Sequence, residues 1–139
     1  MKRSDFLMLA GTLACLFGVG MVAAPSQMMA GMTNGSSAEG ALVLRWMGSA
    51  LIAVGLMNFI ARNDPGSVAL RAIFIGNIAL HVIGMLFDVL DWQAGFVRTT
   101  GVVSGSVVHL GLILGFMIFL RGAGPKPAEV GATSAAAVA

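Results

Sequence analysis

The chain has 139 residues, 58% of them hydrophobic and 10% charged, with a formal net charge of +2 and a mean hydropathy of +0.92. So few polar side chains do not cover a water-facing surface, which excludes a soluble globular domain. The eight Lys and Arg residues lie one or two at a time near the ends of apolar runs, which excludes a nucleic-acid-binding face.

Four uncharged runs, at 6–24, 46–61, 72–87 and 99–120, dominate the sequence. A bilayer core about 30 Å thick takes about 20 helical residues, and in hydrocarbon a backbone must satisfy its own hydrogen bonds. The runs are continuously apolar rather than alternating, so a transmembrane barrel is rejected. The predicted fold is all-α, an integral membrane four-helix up-and-down bundle. One domain covers 1–120, with helices at about 5–24, 41–61, 68–90 and 97–120, and 121–139 forms a disordered cytoplasmic tail.

The first helix follows Lys2 and Arg3 like a secretory leader. Its apolar run is longer than the usual signal core of about 7 to 15 residues, and Pro25 directly after Ala23 and Ala24 hinders cutting there, so the helix is expected to stay. Cys15 is the single cysteine and is read as a small packing residue. Past Pro25 an irregular turn is expected. Met28, Met29 and Met32 offer thioethers of the kind that favour Cu(I), but the spacing serves equally for packing. Thr33, Asn34, Gly35, Ser36 and Ser37 mark an outer loop.

The second helix carries Arg45 and Trp46 near its start, and Arg62, Asn63, Asp64, Pro65, Gly66 and Ser67 turn the chain tightly into the third. A short return around Asp91, Trp92, Gln93, Ala94 and Gly95 leads into the fourth. Small residues recur at four-residue steps, as Ala10, Ala14 and Gly18, as Gly101 and Gly105, and as Gly111 and Gly115. Such ridges let helices approach closely, within the bundle or across a homo-oligomer or a partner membrane protein.

One pattern goes beyond packing. On the third helix Asn77, His81, Gly84, Asp88 and Asp91 fall within roughly 40° of one line, and on the fourth Arg98, Val102, Gly105, His109, Leu112 and Phe116 repeat the step. A mid-bilayer charge costs about 2.5 to 3.5 kcal/mol unless paired, so these stripes are expected to face inward. Arg45, Asp88, Asp91 and Arg98 are expected to form an ion network at the outer end, locking the helices in register or framing a ligand or proton site. His81 and His109 lie at similar depth. They are expected to be neutral imidazoles bonded to Asn77, Ser104, Ser106 or a carbonyl, with haem b as the alternative, although helices about 8 to 10 Å apart leave no room for a porphyrin. No cofactor and no metal site is expected, since His81, His109 and Asp88 supply at most three ligands at unequal depths.

If every run spans, Lys2, Arg3, Arg62, Arg71, Arg121 and Lys126 share one side and only Arg45 and Arg98 the other, which predicts cytoplasmic termini. Trp46 and Trp92 then mark the outer interface.

Gly18 and Gly20 before Pro25, then Leu44, Arg45, Trp46, Met47 and Gly48, Gly55 and Leu56, Ala61 and Arg62, and Ala69, Leu70 and Arg71 resemble small four-helix bacterial inner-membrane proteins of unknown function, loosely the DoxX-like group. The resemblance spans about 6–120 and implies a fold and a multi-pass location in the bacterial inner membrane, with no activity attached. No Walker loop, nucleophile elbow or CxxC is present. The expected function is therefore non-enzymatic: an accessory, assembly or small-ligand-binding membrane subunit. The alternatives are a haem- or quinone-linked redox component using His81 and His109, or a small transporter or channel.

Overall fold

The structure is a computed structural model that describes residues 1–124, so all of the expected tail from residue 125 lies outside the described residues. It contains five helices, α1 (Arg3–Ala23), α2 (Pro25–Met32), α3 (Ala38–Ala61), α4 (Val68–Gln93) and α5 (Thr99–Leu120). All but α2 are long and apolar enough to cross a membrane. Among the described residues the only extended pairing is one isolated bridge between Thr33 and Val97.

The helix boundaries follow local chemistry. Pro25 occupies the first turn of α2, where its missing N–H has no partner to lose, so 25–32 is helical rather than an irregular turn. Ser37 caps α3 by accepting from Gly40 N at 3.0 Å, which starts that helix at 38 instead of 41. Ser67 caps α4 in the same way, accepting from Leu70 N at 3.0 Å. In the turn before it, the Asp64 carboxylate accepts from Gly66 N at 2.7 Å and from Ser67 Oγ at 2.8 Å. Gly66 itself has φ +139°, a conformation that excludes larger residues. α4 then runs to Gln93, three residues beyond expectation, so Asp91 and Trp92 sit on its last turn.

The helices pack as two antiparallel pairs. α1 meets α3 along glycines seven residues apart, with Gly11 opposite Gly55 and Gly18 opposite Gly48. A Cβ on Gly18 or on Gly48 would lie 2.7 Å from the carbonyl oxygen of the other. Backbone therefore lies directly on backbone, the packing that small residues allow where lipid supplies no hydrophobic drive. Of the glycines in the expected four-residue ridges, Gly18, Gly101, Gly105 and Gly115 are close approaches, but nothing lies within 4 Å of a Cβ built on Gly111.

α4 pairs with α5, and the pairs meet firmly at one end. There Phe6, Leu7, Leu70, Phe74 and Phe116 are fully or almost fully buried, with ring centroids of Phe6 and Phe74 at 4.8 and 5.3 Å from that of Phe116. At this end Arg3 also donates to the carbonyls of Gly122 and Asp64, and Ser67 N donates to Ala123 O. The opposite end is tied by Asn34 N to Phe96 O at 2.9 Å and Arg98 N to Met32 O at 3.0 Å.

Candidate functional site

The α4–α5 pair carries the polar chemistry, seated by two glycines. Gly84 lies opposite the ring of His109, where a Cβ would come within 3.0 Å of Cε1, and Gly105 lies opposite Asp88, where a Cβ would come within 2.5 Å of Oδ2. Each helix thus offers a four-residue step of one glycine and one polar side chain, and the steps interlock in reverse order. The result brings Asp88 Oδ2 to 3.6 Å from His109 Nε2, and His109 Nδ1 to 2.9 Å from His81 Nδ1. The His81 ring stacks on Phe116 at a centroid distance of 6.2 Å.

A contact between two Nδ1 atoms fixes how protons are shared. One Nδ1 must donate and the other accept. When His109 carries its proton on Nε2, facing the Asp88 carboxylate, its Nδ1 accepts from His81. When His109 carries both protons, its Nδ1 donates and His81 presents Nε2–H instead. A proton arriving at His81 Nε2 can therefore shift the shared proton across and leave an imidazolium beside Asp88.

Further along the same face, Asn77 and Asn58 exchange two side-chain hydrogen bonds of 3.1 Å, and Asn77 Nδ2 also donates to Ile73 O at 2.8 Å. Both amides are buried. This pair satisfies polar groups that would be expensive in hydrocarbon. It also links the two helix pairs, since Asn58 belongs to α3 and Asn77 to α4.

Between the pairs lies a cavity of about 230 Å³. Its walls differ in character. α1 and α3 contribute only apolar side chains, among them Ala10, Ala14, Phe17 and Leu51, whereas α4 and α5 set Asn77, His81, Asp88 and His109 among the apolar Leu80, Val108 and Leu112. No Lys or Arg lines it among the described residues.

The expected site residues are thus partly brought together. Asn77, His81, Asp88 and His109 form one constellation. Arg45, Asp91 and Arg98 are exposed, and among the described residues the only contact at ion-pair distance is that of Asp88 with His109, an ion pair when the imidazole is protonated, so no Arg–Asp bridge of the expected outer network is present. Long arginine side chains at helix ends reach outward to water and headgroups instead of spending conformational freedom on a partner. The histidines bond to each other rather than to Asn77, Ser104, Ser106 or a carbonyl, and Ser104 Oγ donates to the carbonyls of Thr100 and Gly101. Two metal–imidazole bonds of about 2 Å would place axial nitrogens about 4 Å apart, so the 2.9 Å contact does not fit a bis-histidine haem in this arrangement. Among the described residues no three His, Cys, Asp or Glu side chains converge as a metal set.

Sequence reasoning missed Asn58, the one amide in an otherwise apolar run, and the α1 wall of the cavity. The lone amide at 58 was the available signal, because an unpaired amide in hydrocarbon demands a partner.

No family model, curated protein or solved structure matches the chain.

Proposed function

We propose that this chain is a non-enzymatic multi-pass protein of the bacterial inner membrane that binds a small amphiphilic molecule within the bilayer, in the cavity between its two helix pairs. The reading rests on one observation: a cavity of about 230 Å³ with apolar side chains on one wall and Asp88, His109, His81 and Asn77 on the other. An apolar pocket with a few convergent polar groups is the general form of a small-molecule site. An apolar cavity of about 150 Å³ already accepts benzene. The topology that goes with this reading is an up-and-down four-helix bundle of the kind found in DoxX-like proteins.

Its orientation follows from charge. Lys2, Arg3, Arg62, Arg71 and Arg121 belong to the end where Arg3 meets Asp64 and Gly122, against Arg45 and Arg98 at the other. The positive-inside bias therefore puts both termini in the cytoplasm and opens the polar wall toward the outer leaflet. Reporter fusions at residue 1 and residue 124 test this, and opposite compartments for the two ends would reject it.

Native mass spectrometry of the protein extracted gently from its host membrane tests the ligand. A bound small amphiphile is expected on the wild type and is lost from Ala14→Phe, whose ring fills the cavity. A wild-type spectrum with no adduct beyond annular lipid, and no difference on Ala14→Phe, rejects the reading.

A further inference from the structure

We infer that the cavity takes a lipophilic organic cation, an amine or quaternary ammonium on a compact apolar body, with its charge at Asp88. This inference rests on the cavity's being a ligand site and adds the chemical class. The carboxylate of Asp88 lines the cavity, and its only ionic partner among the described residues is an imidazole at 3.6 Å. Asp91, three residues on and on the same helix face, is a second carboxylate, exposed and without an ion-pair partner among the described residues. No Lys or Arg lines the cavity among the described residues. With His109 neutral, the charge inside is that of the Asp88 carboxylate, and in a low-dielectric wall a cation is attracted strongly and an anion repelled.

The facing wall suits the same guest. Phe17 on α1 lines the cavity across from the polar wall, and the negative face of an aromatic ring attracts a desolvated cation. Met21 and Met32 add polarizable thioethers, and Ala10 and Ala14 keep that wall shallow enough for an apolar body. An inorganic cation finds less: among the described residues no three His, Cys, Asp or Glu side chains converge to form a coordination shell. Gly105 fixes where the charge sits, because the space that a side chain there would occupy is taken by Asp88 Oδ2.

The test is a calorimetric titration of the full-length protein in detergent with three benzyl probes: the cation benzyltrimethylammonium, its uncharged carbon isostere neopentylbenzene, and the anion phenylacetate. The cation is expected to bind at least about tenfold more tightly than the isostere, and phenylacetate to bind more weakly than either. Asp88→Asn should bring cation and isostere to equal affinity. Phe17→Leu should weaken the cation by about threefold to tenfold while leaving the isostere within about twofold, and it keeps the inference testable if Asp88→Asn does not fold. Equal affinity of cation and isostere on the wild type, or preference for phenylacetate, overturns the cation class and leaves the cavity reading standing. Binding of none of the three overturns the cation class as well. The cavity reading then falls with it only if native mass spectrometry also finds no cavity-dependent amphiphile.

Discussion

Asn58 and Asn77 hold each other by two hydrogen bonds of 3.1 Å, each amide donating to and accepting from the other. Among the described residues they are the one side-chain hydrogen-bonded pair between α3 and α4, so their worth is measurable apart from the rest of the fold. Replacing either by Leu strands the other, at a cost of about 1 to 3 kcal/mol. Replacing both removes the stranded group. In a double-mutant cycle on the detergent-solubilised protein, the coupling is expected at about 0.6 to 1.7 kcal/mol, the range for hydrogen bonds between membrane helices. Strict additivity of the two single changes would show that the pair contributes nothing as a pair.

The α1–α3 contact makes a second prediction, one with its own control. Gly18→Ala and Gly48→Ala each push a Cβ to 2.7 Å from a backbone oxygen that has nowhere to go. Each is expected to destabilise by about 1 to 3 kcal/mol. Gly76→Ala meets nothing within 4 Å and should be neutral or stabilise by up to about 1 kcal/mol, since glycine is the poorer helix former. Thermal melts of the three variants decide it, and equal losses at all three positions would contradict the close approach.

Gly105→Ala separates the site from the scaffold. The atom it displaces is the free end of the Asp88 side chain, which can rotate away, so stability should change by less than about 1 kcal/mol. The contact of Asp88 with His109 at 3.6 Å is expected to be lost. In ¹⁵N spectra of histidine-labelled protein, the His109 Nε2 resonance should move on Gly105→Ala, as it should on Asp88→Asn. A His109 signal that ignores both changes would mean that the carboxylate does not govern that ring.

The turn at 62–67 offers a stability test remote from the cavity. Ser67→Ala removes the cap accepting from Leu70 N at 3.0 Å and the partner of Asp64, for an expected loss of about 1 kcal/mol. Ligand affinity should stay the same, which a titration alongside the melt will check.

Much of this architecture was legible in the sequence because hydrocarbon imposes a simple rule on length and polarity. The four spans follow from uncharged runs, and the inward stripe of Asn77, His81 and Asp88 follows from the helical repeat. The pairing of glycines at 11, 18, 48 and 55 was not legible, because a seven-residue step in one helix means nothing until its antiparallel partner is known. α2 escaped notice for a local reason: Pro25 reads as a break, yet the same ring begins a helix well. The outer ion network failed for an energetic one. Matched depth along the sequence does not bring Arg45 or Arg98 to a carboxylate when water and headgroups solvate a guanidinium at no cost in freedom.

Phe74 and Phe116, both fully buried, close the end of the molecule where Arg3 meets Asp64 and Gly122, while the cavity reaches away from them to Met32 and Gly101. The interior is thus a blind well with an aromatic floor. A guest of the proposed site would therefore meet buried aromatic rings at that end, and would reach the cavity from the end marked by Met32 and Gly101 or sideways between the helix pairs.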